Sequence, residues 1–133
     1  MVLVDSNVLI DIFTRDVRWY DWSSEALLTA DDAEGLAINP IIYAEVGAVA
    51  RTRAEVERQF TDWVFARLPL PYEAGFLAGQ AFVRYRREGG QRRSPLPDFY
   101  IGAHAQTAGL TLLTRDAARY RTYFPKLRLI APE

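Results

Sequence analysis

Val2-Leu3-Val4-Asp5-Ser6-Asn7-Val8-Leu9-Ile10-Asp11 is the stretch on which the fold turns. Val2 to Val4 is a short, unbroken apolar run with no polar alternation, the pattern of a strand buried on both faces, and such strands belong to parallel sheets covered by helices. Asp5-Ser6-Asn7 then supplies turn and capping chemistry, and Val8 to Phe13 reads as a helix.

Working outward, the same alternation recurs. Ser23 to Ala30 reads as a short helix, Gly35 as a turn, and Leu36-Ala37-Ile38 as a second buried strand. Asn39 caps the next helix and Pro40 takes its first position, where the missing N–H is harmless; this helix is expected to run through Glu45 to about Arg51. Apolar residues at Val56, Phe60, Trp63, Val64 and Leu68 follow the spacing of one helix face, so a further helix is expected from Arg53 until Pro69 and Pro71 stop it. Tyr72 to Arg87 is another helix, Gly89 to Ser94 a loop, and Asp98 to Thr107 a helix ended by Gly109. Leu110 to Thr114 is the third clear strand, Ala117 to Tyr123 a short helix, and Leu127 to Ile130 a last strand. Strands separated by helices predict a single α/β domain spanning 1–133, with a central parallel sheet between helical layers.

Composition narrows the chemistry. The chain has 133 residues, 16 basic against 17 acidic, with no Cys and one His. A domain of this size builds its core without covalent staples. The lack of Cys excludes thiol nucleophiles, disulfide frameworks and zinc fingers, and the single His104 excludes multi-His metal sites and two-imidazole ribonuclease mechanisms within one chain. Lys126 is the only Lys, so no Gly-Lys-Ser/Thr phosphate loop exists. A net charge of −1 excludes a globally basic nucleic-acid binder, yet Arg84, Arg86, Arg87, Arg92 and Arg93 crowd into one segment. No apolar run approaches the roughly 20 residues of a membrane span, and no basic leader precedes Asp5; a soluble, cytoplasmic protein is expected.

In parallel α/β sheets the site lies beyond the carboxyl ends of the strands. Asp5 and Asp116 each follow an apolar strand, and Asp98 opens a helix after Pro97. Glu45 lies six positions beyond Asn39, roughly 9 Å along a helix axis, and side chains on helices lean back toward the start. All four carboxylates can meet at one edge. Two carboxylates about 5 Å apart repel by about 3 kcal/mol at an effective dielectric of 20, so a cluster of four requires retained protons or a divalent cation. Oxygen ligands alone favour Mg²⁺ or Mn²⁺, the setting for metal-assisted phosphodiester hydrolysis.

Val4-Asp5-Ser6-Asn7-Val8-Leu9-Ile10-Asp11, Glu45, Pro97-Asp98-Phe99-Tyr100-Ile101-Gly102-Ala103-His104-Ala105 and Leu113-Thr114-Arg115-Asp116 together resemble the PIN-domain ribonucleases, most of all the VapC toxins of bacterial and archaeal toxin-antitoxin pairs. The likeness covers essentially the whole chain. It implies a three-layer α/β/α PIN-like domain, with Asp5, Glu45, Asp98 and Asp116 binding Mg²⁺ or Mn²⁺, Asn7 and Thr114 supporting them through hydrogen bonds, and endoribonuclease activity toxic to the cell. It also implies a cognate antitoxin as partner, in some members inserting an Arg among the acids, and a homodimer. Asp11, one and a half turns beyond Asp5, is the alternative to Glu45. Arg92, Arg93 and Arg115 are candidates for RNA contact, with Arg84 and Arg87 extending that stripe.

Plainer roles compete at each position. Asp5, Asp98 and Asp116 all stand where helix caps belong, Glu45 fits a solvated helix surface, and the arginines fit a solvated face. His104 suits a buried or half-buried histidine hydrogen-bonded to backbone, with no catalytic part. Trp19, Tyr20 and Trp22 offer apolar area to a partner, whereas Phe60 and Trp63 suit the core. Two other functions stay open: a non-catalytic RNA- or partner-binding module, and a haloacid-dehalogenase-type phosphatase. The latter needs a second Asp where Asn7 stands.

Overall fold

Val2–Val4 forms β1 with every residue buried, and Asp5 caps α1 (Ser6–Phe13) by accepting a hydrogen bond from the Ser6 N–H. A computed structural model describes residues 1–90 and 96–133. From α1 the chain continues through α2 (Tyr20–Glu34), β2 (Leu36–Ile38), α3 (Pro40–Gly47), α4 (Arg53–Gln59) and β3 (Phe65–Arg67). There follow α5 (Tyr72–Arg87), α6 (Leu96–Ala108), β4 (Thr111–Leu113), α7 (Ala118–Tyr123) and β5 (Leu129–Ile130). Gly35 ends α2 at φ 81°, a backbone region in which residues with a Cβ are strained. Asn39 caps α3 through its carbonyl oxygen, which accepts from Ile42 N–H at 2.9 Å, and Pro40 holds the first position.

The strands form one parallel sheet in the order β3-β2-β1-β4-β5. Val2, Leu3 and Val4 lie opposite Thr111, Leu112 and Leu113 of β4, and Val2 and Leu3 opposite Leu36 and Ala37 of β2. β1, β2 and β4 are buried along their length, and Phe99, Ile101, Ile42 and Leu27 pack against them from the helices, as a three-layer α/β/α arrangement requires. The order reverses at β1: the chain first moves outward through β2 and β3, then crosses to β4 on the other side. That switch point lies between the carboxyl ends of β1 and β4, the place where open α/β sheets bind ligands.

Against the sequence expectation α2 is longer, running Tyr20–Glu34, and α3 ends at Gly47 rather than near Arg51, while one element differs in kind. The helix from Arg53 stops at Gln59, and Phe65–Arg67 is an edge strand paired with Leu36–Ile38. Phe60 is buried in an aromatic group with Phe13, Tyr43 and Phe65, but Val64, assigned by the periodicity to the same apolar face, is exposed. Helical spacing over this stretch joins the buried side of α4 to a strand that enters the same core.

Candidate active site

Asp5 stands at the carboxyl end of β1 with 3% of its surface exposed, and its own N–H continues the ladder by donating to the Leu113 carbonyl at 2.9 Å. Its Oδ1 accepts from Ser6 N–H at 2.8 Å. Its Oδ2 accepts from the Thr114 hydroxyl at 2.9 Å and the Tyr120 hydroxyl at 3.0 Å. Asn7 ties the two strand ends together: its amide donates to Thr114 Oγ1 at 3.3 Å and its carbonyl oxygen accepts from Arg115 N–H at 3.1 Å. The Asp116 N–H in turn donates to Thr114 Oγ1 at 3.2 Å. Asn7 and Thr114 thus hold the loop after β4 against the end of β1.

Glu45, on α3, accepts a hydrogen bond from the Ser6 hydroxyl at 2.8 Å, which turns it toward the β1 end. Asp98 lies in the first turn of α6 and Asp116 is exposed just beyond β4. The charges of these acids reach one another. Burial, reinforced by the Asp98 charge and to a smaller degree by Glu45, pushes the Asp5 carboxyl up to about 6 against the hydrogen bonds from Thr114 and Tyr120. Burial and the Asp98 charge raise Glu45 against its bond from Ser6. Burial raises Asp98, opposed by Arg119 and reinforced by Asp116. Four acids from four separate segments therefore share one electrostatic neighbourhood at the switch point.

Asp11 stands elsewhere. It is 2% exposed, accepts from the Ser23 hydroxyl at 2.9 Å, and holds the Arg115 guanidinium with two bonds of 2.7 and 3.1 Å. It clamps α1 to α2 and to the loop after β4. Arg115, expected to contact RNA, is thereby anchored, with its guanidinium also over the Trp19 ring. Arg92 and Arg93 lie outside the described residues. His104 is buried and sits 3.0 Å from the Asn39 amide, which donates to its Nδ1; burial lowers its pKa, and its partner is a side chain rather than backbone.

Sequence reasoning missed Ser6, Tyr120 and Arg119. Ser6 sits inside the opening stretch, and Tyr120 follows Asp116 by one helical turn, a spacing that faces it toward the acids. Nothing in the sequence distinguishes Arg119, whose Nη1 meets Asp98 Oδ2 at 2.7 Å. At the carboxyl ends of β2 and β3 a cavity of about 490 Å³ is lined by Asn39, Pro40, Tyr43, Arg53, Leu68 and Pro69, among others, and by none of the four acids.

The donor set suits a hard divalent cation: only oxygens, with one carboxylate so buried and crowded that ionising it is costly. Among the described residues no three acidic side chains are drawn tightly enough to enclose an ion as they stand.

The model of the PIN domain matches residues 2–125. The chain belongs to the PIN-domain family. No curated protein sequence matches it. Among solved structures, this PIN domain is similar to a chain of a toxin-antitoxin complex from Klebsiella pneumoniae, with 23% identity, a TM-score of 0.73 and 100% and 98% of the two chains covered. It is likewise similar to a chain of VapBC2 from Rickettsia felis bound to a DNA fragment from their promoter, at 16% identity, TM-score 0.72 and 98% coverage of each. A third likeness is to a chain of DNA-bound VapBC from Salmonella typhimurium, at 20% identity, TM-score 0.70, covering 98% of this chain and 96% of that one. These likenesses show the fold. No helix among the described residues is long and apolar enough to cross a membrane.

Proposed function

We propose that this PIN domain is a divalent-metal-dependent endoribonuclease, the toxin half of a toxin-antitoxin pair. The observation that carries the proposal is the burial of Asp5 at the switch point, raised to about 6 within reach of the Asp98 and Glu45 charges. A protein that needed only a helix cap there has no cause to gather further acids around it. Asp5, Glu45, Asp98 and Asp116 would hold Mg²⁺ or Mn²⁺, with Asn7, Thr114, Ser6 and Tyr120 orienting Asp5 and Glu45. Such an ion polarises a phosphoryl oxygen, favours ionisation of water and offsets charge on the phosphorane-like transition state.

The chain's own part is to fix the acids and receive the strand. Water adds to phosphorus and the bond to the 3′ oxygen breaks, giving 5′-phosphate and 3′-hydroxyl ends. The cavity at the carboxyl ends of β2 and β3, on the same edge of the sheet as Asp5, offers apolar walls and the Arg53 charge to a nucleotide further along the strand. Arg115 spends two of its five N–H donors on Asp11, leaving others for a phosphate.

A cognate antitoxin is the proposed protein partner, supported by the fold likeness to chains solved in toxin-antitoxin complexes. A homodimer is supported by Tyr72, Phe76 and Val83, exposed on α5. The cytoplasm is the proposed location.

The test is cleavage of single-stranded RNA by the purified chain, freed of partners, with Mg²⁺ or Mn²⁺. Cleavage is expected to leave 5′-phosphate ends, and to stop on chelation and in Asp98→Asn. RNA bound but never cut under these conditions would make the chain a non-catalytic binding module. Cleavage unaffected by chelation would refute the metal assignment.

A further inference from the structure

Among the described residues, one cation forms an ion pair with any of the four acids: Arg119, through Asp98 at 2.7 Å. The pair differs in kind from the other Arg–Asp contact nearby. Asp11 is 2% exposed and grips Arg115 with both oxygens, whereas Asp98 and Arg119 are 35% and 37% exposed and share a single bond. A buried bidentate pair is costly to open, because a bare charge stays behind. A half-exposed pair joined by one bond opens readily, since water screens both partners.

Arg119 also has somewhere to go. Its guanidinium lies 5.6 Å from the centre of the Tyr85 ring, within range of a cation–π contact that does not depend on Asp98. Asp98 meanwhile carries the repulsion of Asp116 and adds to that on Asp5 and Glu45, so a positive charge on Asp98 relieves the whole group.

We propose that Arg119 is a built-in counter-ion that holds Asp98 while no divalent cation is bound and surrenders this carboxylate to the ion when one arrives. The proposal rests on the metal-dependent reading above. Arg119 and the cation then compete for one ligand, and the guanidinium sets the ion concentration at which the site fills. It also accounts for acids that interact electrostatically yet do not close into a cage: the carboxylate of α6 is held by α7.

The experiment is a titration of the metal-free full chain with Mn²⁺, followed by calorimetry, in the wild type and in Arg119→Ala, Arg119→Lys and Arg121→Ala. Arg121 is an exposed residue of the same helix and controls for loss of charge without loss of the contact. Arg119→Ala is expected to bind Mn²⁺ about three- to fivefold more tightly, the upper range open to a half-exposed pair. Arg119→Lys should stay near wild type, and Arg121→Ala within about twofold. Thermal unfolding gives a reading independent of affinity: Arg119→Ala should melt below wild type without metal, and the gap should shrink at saturating Mn²⁺. Arg119→Gln, which retains most of the stem, repeats the test should the Ala variant fold poorly. Unchanged or weaker Mn²⁺ binding in Arg119→Ala, or equal tightening in Arg121→Ala, overturns the counter-ion. A wild-type chain that binds no Mn²⁺ overturns the metal-dependent reading instead.

Discussion

Asp5→Asn should stabilise the metal-free protein, and only above a particular pH. The folded chain raises this carboxyl from 3.8 to about 6, with burial as the largest cause. For an acid raised on folding, the contribution to stability is fully present below the unfolded value of 3.8 and is lost as pH rises through about 6. Two pKa units at 1.36 kcal/mol each make the ionised group a burden of about 3 kcal/mol at pH 8. Asn removes that burden, but its NH₂ faces hydroxyls of Thr114 and Tyr120 that now donate to Oδ2, and turning them costs about 1 kcal/mol. The net gain is about 2 kcal/mol at pH 8, or roughly 5–8 °C in a domain of this size. At pH 4 both side chains are nearly neutral and the gain should vanish or reverse. Thermal melts of both proteins at pH 4, 6 and 8 with chelator present provide the check. A variant less stable than wild type by the same amount at every pH would show that Asp5 is a well-satisfied cap, and the crowding argument would fail with it.

Arg115→Ala strands the buried Asp11 carboxylate with only Ser23, and urea unfolding should record a loss of about 3–5 kcal/mol; Asp11→Leu with Arg115→Met should recover much of it, since an apolar pair needs no partner charge. Gly102→Ala puts a Cβ 2.7 Å from the Phe124 ring inside the core, so a loss of about 1–3 kcal/mol is expected in the same assay. Phe76→Glu alters a residue that is 74% exposed, and light scattering should report a shift from dimer to monomer with an unchanged melting temperature. A monomeric wild type, or a dimer indifferent to the change, removes α5 as the interface.

The interior of the fold was legible because its strands are buried on both faces. Val2–Val4, Leu36–Ile38 and the Leu112–Leu113 pair present apolar runs that no exposed loop carries, and Asn39-Pro40 marks a helix start by chemistry that few other positions share. The edges were less legible. Phe65–Arg67 packs on only one side and lacks the continuous apolar run, so a helical period that includes the exposed Val64 outweighed three residues of strand. At the site the pattern repeats. The acids that follow strands or open helices were legible as candidates because the backbone dictates where they stand. Arg119 was not, because what defines it is a contact across two elements 21 residues apart.

The same contrast separates the two arginines that follow β4. Arg115 is adjacent to the strand end and donates two hydrogen bonds to the buried Asp11 carboxylate, a pair that is costly to open. Arg119, one turn into the surface, meets a carboxylate that is still half open to water. Identical chemistry thus gives a structural clamp in one place and an exchangeable one in the other, decided by the burial of the carboxylate and by two bonds against one. If the site is to accept a doubly charged ion and an anionic strand in succession, its resting counter-ion has to be of the exchangeable kind. A cation held as Arg115 is, by both oxygens of a buried carboxylate, would neutralise its acid and leave it little to offer a metal.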